Sequence, residues 1–267
     1  MSLLDLLADE NAWNSFYEHK ISLACPKQFT KELRSVINEK RYLPVCTLIG
    51  SGGAFPLPQK SVISKMGSEK KRTVYTYPGD AGTVIKLLTF LMLRKYDCIF
   101  DGGLYSFRHG RTAQDAVRSL LKVKELPKMY GYKVDIHDYF NSIPVEQLLP
   151  MLENTLGDDR RLYEFLESLL TESNVMYRGR IVSEKKGIMA GTPISSFYAN
   201  LFLTGMDRHF TDIGIPYARY SDDIILFAPT REDIDDHARY IREYLAERAL
   251  EVNPAKEEYY AQGEAFT

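Results

Sequence analysis

Tyr220-Ser221-Asp222-Asp223 sets two carboxylates side by side between two short apolar runs, Ile215–Arg219 and Ile224–Ala228. That pattern predicts a β-hairpin with the acids in its tight turn. Ile224-Ile225-Leu226-Phe227 is apolar at consecutive positions, so both faces of its strand must be covered. Two like charges at the tip of a buried hairpin repel each other, and a cation shared with a further ligand resolves the repulsion. Asp135 offers that ligand: Tyr132-Lys133-Val134-Asp135-Ile136 alternates as a strand and carries the acid near its end. Three carboxylates at the end of one sheet can hold two Mg²⁺ ions, each completed by water and substrate phosphate. Two such ions, about 3.5–4 Å apart, activate an attacking hydroxyl and stabilise a leaving pyrophosphate oxygen.

The elements around these acids must bring them together. From Gly131 onward the pattern reads strand, helices, strand, hairpin, strand, helix, strand, with Arg178-Gly179-Arg180 as a hairpin tip in the insertion. The helix of about Leu156–Leu170 carries Leu162, Phe165, Leu166 and Leu169 on one face. Another begins at Gly191-Thr192-Pro193, with Thr192 as cap and Ile194, Phe197, Tyr198, Leu201 and Phe202 as its stripe. After the acidic hairpin, Thr230 and Asp233 cap a helix with the stripe Ile234, Ala238, Ile241, Leu245, and a strand starts near Leu250. The sum is a split β-α-β-β-α-β sheet with an insertion. In that topology the end of the first strand and the central turn are neighbours, so Asp135 approaches Asp222 and Asp223.

Upstream, Leu3 to about Arg41 reads as helical, and Ser51–Pro58 as a Gly/Pro loop without a P-loop ending. Lys60–Tyr77 reads as two strands about a polar turn at Gly67-Ser68-Glu69. Such a basic hairpin can fold over a triphosphate, with Arg72 forking onto phosphate oxygens. A helix follows at about Gly82–Tyr96, then the basic turn Tyr105-Ser106-Phe107-Arg108-His109-Gly110-Arg111, then a helix capped by Thr112 and Asp115.

Composition narrows the classes. At 267 residues and 45% hydrophobic content the chain can build a sizeable core. Val84–Leu93, its most apolar stretch, is short and interrupted by Lys86, so no membrane span and no membrane partner are expected. Met1–Glu10 lacks the basic start of a secretory signal. Three scattered cysteines, Cys25, Cys46 and Cys98, point to a reducing, cytoplasmic setting without zinc or disulfides. The formal net charge of −2 is unusual for a nucleic-acid binder, but positive residues gather at Lys65–Arg72, Arg108–Arg118 and Arg178–Lys186.

In order along the chain, these motifs resemble those of reverse transcriptases of the bacterial type, both group II intron-like and antiphage or abortive-infection enzymes. Lys71-Arg72 matches the fingers hairpin. The Tyr105–Arg111 turn resembles that of bacterial and intron enzymes. Asp135-x4-Phe140 matches the first catalytic motif, and Gly191-Thr192-Pro193-Ile194-Ser195 with Ala199-Asn200 the second. Tyr220-Ser221-Asp222-Asp223 matches the Tyr-x-Asp-Asp box, and Leu250-Glu251-Val252-Asn253-Pro254-x-Lys256 the motif after the palm helix.

The resemblance implies an α+β right-hand polymerase: an N-terminal helical extension (1–48), fingers (49–80 and 146–186) and palm (81–145 and 187–267), with the thumb expected to be absent from this chain. It implies RNA-directed addition of deoxynucleotides to a 3′-hydroxyl by a two-metal mechanism. Asp135, Asp222 and Asp223 would be catalytic and, with Ile136, would hold two Mg²⁺, with Mn²⁺ as a substitute. Lys71, Arg72, Phe140, Ala190 and Lys256 would contact the nucleotide, Phe140 as a gate against a 2′-hydroxyl and Lys256 as proton donor to pyrophosphate. Arg108, Arg111 and Tyr220 would contact nucleic acid. The implied partners are an RNA template, a DNA or RNA primer and deoxynucleoside triphosphates, with a structured RNA or partner protein completing the thumb.

Met189-Ala190 stands where many relatives carry Pro-Gln, so the amide that usually sits beside the incoming nucleotide is missing. The reading without it is a slower or more base-selective enzyme, which Ala190→Gln would speed. Untemplated or protein-primed synthesis is the alternative within polymerases. A non-catalytic RNA-binding scaffold is the alternative outside them, and it gives no use to three repelling carboxylates.

Overall fold

In a computed structural model, residues 2–64, 71–185 and 187–266 are described. The expected turn at Gly67-Ser68-Glu69 and the basic residue Lys186 lie outside them. In chain order the helices are α1 (Glu10–Ser22), α2 (Lys27–Asn38), α3 (Leu43–Gly50), α4 (Gly79–Lys95), α5 (Ala113–Leu121), α6 (Tyr139–Ser142), α7 (Val145–Thr155), α8 (Arg160–Thr171), α9 (Ser195–Phe202), α10 (Thr204–Asp212) and α11 (Arg231–Glu247). The strands are β1 (Gln59–Ser64), β2 (Lys71–Thr76), β3 (Tyr130–Asp135), β4 (Asn174–Tyr177), β5 (Arg180–Ser183), β6 (Tyr217–Tyr220), β7 (Asp223–Ala228) and β8 (Glu258–Tyr260). Among the described residues no helix is long and apolar enough to cross a membrane. The chain divides into two units, 1–92 with 149–195, and 93–148 with 196–267.

The first unit holds the sheet β2-β1-β4-β5. β1 and β2 pair antiparallel from Gln59↔Thr76 to Ser64↔Lys71, as the sequence predicts. β4 and β5 meet around Arg178-Gly179, both at positive φ (50° and 76°), the turn conformation in which glycine is at ease. The N-terminal helical region is interrupted rather than continuous: α1 ends at Ser22, and Pro26 precedes α2. Asp9 caps α1 through the Asn11 N–H at 3.0 Å, and Trp13 stacks on Tyr42 with ring centroids 4.7 Å apart. Buried Asp159 accepts from the Leu3 and Leu162 N–H groups, capping α8 while tethering the N-terminal segment. α8 therefore starts at Arg160, four residues beyond the expected Leu156.

The second unit holds the sheet β6-β7-β3-β8, all antiparallel. This order is the split β-α-β-β-α-β arrangement read from the sequence, with the first strand central and flanked by the third and fourth. α11 packs on β3 and β7, with Ile234, Ala238, Ile241 and Leu245 fully buried against that face. The opposite face is covered by α5, whose Ala116 and Leu120 cluster with Tyr105, Ala218 and Phe227. Both faces of β7 are thus packed, with Ile225 left half-buried beside α5. The last strand is later and shorter than expected. Val252 makes an isolated bridge to Ile136, Pro254–Lys256 form a 3₁₀ turn, and only then does β8 pair with β3. The helix expected from Gly191-Thr192-Pro193 starts at Ser195 instead. Thr192 braces the preceding turn through the Met189 carbonyl and the Ser195 hydroxyl (3.2 and 2.6 Å).

Candidate active site

Register builds the site. Asp135, last in β3, pairs across the ladder with Asp223, first in β7, and Asp222 occupies the two-residue turn before it. The Ile136 N–H donates to the Asp222 carbonyl at 3.2 Å, holding the turn against the end of β3. One carboxylate oxygen from each of Asp135, Asp222 and Asp223 lies within 4.8 Å of the other two. Asp135 is buried, Asp222 half-buried and Asp223 on the open side.

The electrostatics suit a cation. Burial first, then the charges of Asp222 and Asp135, push the Asp223 carboxyl above the usual carboxylate range, with Lys256 and Lys133 only partly offsetting them. Lys256 donates from Nζ to Asp135 Oδ2, and that hydrogen bond raises the ammonium above the ordinary lysine value against its own desolvation. Asn253 takes the other oxygen, Nδ2 to Oδ1 at 3.0 Å, while its N–H donates to the Asp135 carbonyl at 2.7 Å. Three carboxylates with oxygen donors converging at this spacing fit a hard divalent ion, which prefers oxygen ligands.

The other expected residues divide by surroundings. Phe140 is half-buried in α6 and meets Tyr139 edge to face at 5.6 Å. It is Tyr139 that goes into the core, its hydroxyl on the Ala199 carbonyl at 2.6 Å. Tyr220 is exposed beside the acidic turn. Arg111 donates to the Gly102 carbonyl at 2.6 Å, its guanidinium 5.3 Å from the Tyr105 ring centre. Arg108 is engaged within its own loop. Its guanidinium is buried and forks onto both Asp97 oxygens at 2.8 and 2.9 Å, with further bonds to the Asp97, Asp101 and Leu104 carbonyls. This arginine staples the loop.

Lys71, Arg72 and Ala190 belong to the first unit. Lys71 and Arg72 are exposed on β2. Ala190 is only 1% exposed, and its carbonyl accepts the Tyr75 N–H at 2.7 Å, so it serves as an anchor for β2. Its side chain is buried in protein.

Two contributors were not read from sequence. Asn253 lies in the Leu250–Lys256 motif, but nothing local says that its amide reaches Asp135, 118 residues away. Arg219 is fully buried on Asp207. Its one sequence signal is an arginine inside an otherwise apolar strand.

The family model described as reverse transcriptase (RNA-dependent DNA polymerase) matches residues 63–266. A curated relative, an uncharacterized 91 kDa protein in the cob intron of Schizosaccharomyces pombe, is 24% identical over 159 residues. The match takes in 58% of this chain and 19% of that protein. Among solved structures, telomerase from Candida albicans in complex with a fragment of telomeric RNA superposes with a TM-score of 0.61 at 14% identity, over 78% of this chain and 43% of that one. Apo telomerase from Candida tropicalis gives 0.61 at 13% identity over 79% and 45%. The chain thus spans about a fifth of the curated relative and under half of these solved neighbours. The likeness in fold is to the fingers and palm of a right-hand polymerase.

Proposed function

The chain belongs to the reverse transcriptase family, and on that premise we propose that it extends a 3′-hydroxyl with deoxynucleotides under the direction of an RNA template. The observation that carries the reading is the carboxylate triad, with oxygens within 4.8 Å at the end of a sheet of the expected strand order. A scaffold that only bound RNA would gain nothing from holding three acids so close.

In this reading Asp135, Asp222 and Asp223, with the Ile136 carbonyl, hold two divalent ions, Mg²⁺ or in its place Mn²⁺. Bound there, the ions would supply charge for the attacking hydroxyl and the leaving pyrophosphate. Lys256 keeps a proton at Nζ beside Asp135, where it can be delivered to pyrophosphate. Arg72, exposed on its hairpin with Lys71, grips the triphosphate. Phe140, half-buried rather than locked in the core, presents its ring to the sugar and excludes a 2′-hydroxyl by bulk.

The test is incorporation on a defined RNA template with a DNA or RNA primer, with and without Mg²⁺, followed by sequencing of the product. Template-complementary DNA that requires Mg²⁺ and Asp222 supports the reading. Product unrelated to the template would transfer it to untemplated synthesis, and no product with RNA still bound would leave the scaffold. The setting we infer from the motifs is antiphage defence. Plaque counts on cells carrying the wild-type chain or Asp222→Asn test that separately.

A further inference from the structure

Beneath the acidic turn lies a closed polar network. Arg219, on β6, is fully buried and forks onto Asp207 of α10, Nε to Oδ1 at 2.8 Å and Nη2 to Oδ2 at 2.5 Å. Asp207 also accepts the Tyr217 hydroxyl at 2.7 Å. The free edge of the guanidinium then reaches two carbonyls, Asn200 from Nη2 at 3.3 Å and Ser221 from Nη1 at 3.1 Å. Asn200 is itself fixed, exchanging hydrogen bonds with the side chain and the carbonyl of Ser106. The backbone of Arg219 is held as well, its N–H by the Gly103 carbonyl at 2.8 Å and its carbonyl by the Tyr105 N–H at 3.0 Å.

Ser221 is the residue that shapes the turn. It sits at φ +61° in the first central position of a two-residue hairpin, where glycine is the usual occupant. A serine there is uphill and persists only if its surroundings over-determine it. An ion pair buried this deeply is a weak stabiliser compared with apolar side chains of the same volume. Its value here is geometric, because a planar fork can satisfy Asp207 with one edge and aim a donor at Ser221 with another.

We infer that Arg219 is a positioning residue for the metal-holding turn: by gripping the Ser221 carbonyl it fixes the left-handed residue that aims Asp222 and Asp223, with Asp207, Tyr217 and Asn200 holding the guanidinium in place. The inference rests on the polymerase reading only for its kinetic arm. The direct arm is metal affinity, read as depletion of free Mn²⁺ by electron paramagnetic resonance on the full chain, with Asp222→Asn defining the signal from this site.

Arg219→Lys keeps the charge and loses the fork. It should weaken Mn²⁺ binding and lower kcat, each about tenfold to a hundredfold, while KM for the deoxynucleotide moves less than about threefold. A buried lysine can compromise folding, so a second variant removes the network whole: Arg219→Met, Asp207→Leu and Tyr217→Phe together. This chain should fold, since apolar replacement of a buried pair is tolerated, and should show the same loss of Mn²⁺ affinity. Adding Ser221→Gly to it should restore most of that affinity, because glycine takes the turn conformation unaided. Wild-type Mn²⁺ affinity and kcat in the folded triple variant would overturn the inference. So would failure of that variant to fold, which would make the network a requirement of the core. Absence of Ser221→Gly rescue would likewise remove the grip on Ser221 as the cause. A wild-type chain that binds Mn²⁺ through Asp222 but incorporates nothing sinks the polymerase reading and leaves this one intact.

Discussion

Two antiparallel hairpins bear the residues to which the chemistry is assigned, and they are built in opposite ways. In β6–β7 the residues behind the turn are buried: Tyr217, Ala218 and Arg219 on one strand, Ile224, Leu226 and Phe227 on the other. In β1–β2 the ladder is regular, but Tyr75 is the one buried side chain, and Val62 and Ile63 are 44% and 47% exposed. Near its root, Glu184 accepts the Tyr75 hydroxyl at 2.7 Å and pairs with Lys60. Three carboxylates held within 4.8 Å repel one another, so their backbone has to be over-determined by packing on both faces. A hairpin that exposes Lys71 and Arg72 has no such burden. Few buried contacts leave it free to open locally at low cost.

The sharpest way to break the contrast is to remove charge from the packed hairpin. Asp222→Asn should reduce incorporation to the level of a reaction without protein, because ligation needs the charge and the hairpin's packing does not. Asp223→Asn should do the same. Relief of repulsion should also raise its melting temperature in metal-free buffer by about 1–3 °C. Incorporation assays and a thermal melt on the same preparations check both. Full activity in Asp222→Asn would end the two-metal assignment.

The exposed hairpin should respond through affinity and not through stability. Arg72→Ala should raise KM for the nucleotide about tenfold to a hundredfold, the worth of one or two charge-assisted hydrogen bonds to phosphate. Its melting temperature should stay within about 1 °C, as expected for an exposed position. A large loss of stability would show that β2 is less independent than its exposure implies. Phe140→Ala carries a smaller effect, about a tenfold shift in the preference for deoxynucleotides over ribonucleotides, with deoxynucleotide efficiency nearly kept. An unchanged ratio in steady-state kinetics would make Phe140 a packing residue beside Tyr139.

The same contrast sorts what the sequence could reveal. The acidic turn, the strand ending in Asp135 and the order of the palm strands were legible because each is a local pattern with its own period. The α11 stripe was legible for the same reason, and all four of its apolar positions are buried. What stayed hidden joins residues that no period relates. Asp207 lies one helix away from Arg219, and a lone arginine in an apolar strand gives no hint of its partner. Arg108 hid its partner as well. A basic turn looks alike whether it faces RNA or grips an aspartate eleven residues upstream, as it does with Asp97. The strand expected near Leu250 slid to Glu258 because Asn253 and Lys256 turn inward to Asp135 first.

Ala190 is the place where sequence and structure make opposite predictions. Read from the motif, Ala190→Gln restores a missing amide and should speed incorporation and flatten base preference. The structure makes it an anchor of the exposed hairpin instead. Met189 and Gly191 flank Ala190 at φ +61° and +99°, and a Cβ on Gly191 would already stand 3.1 Å from the Tyr75 carbonyl oxygen and from Val74 Cβ. The turn is pressed against β2, and the Ala190 carbonyl holds the Tyr75 N–H. A glutamine at this buried position overpacks the turn, at a cost of about 1–3 kcal/mol, or roughly 3–10 °C in melting temperature. The strain should pass to β2, two or three residues from Arg72. Efficiency should therefore fall by a similar factor for all four deoxynucleotides, through KM, because the triphosphate is common to them and the bases are not touched. Measuring the four efficiencies beside the melt separates the two outcomes. A gain in efficiency with an unchanged melting temperature would mean that the side chain at position 190 finds its way out to the nucleotide. A uniform loss with a lower melting temperature would tie the exposed hairpin's grip to the rigidity of its root.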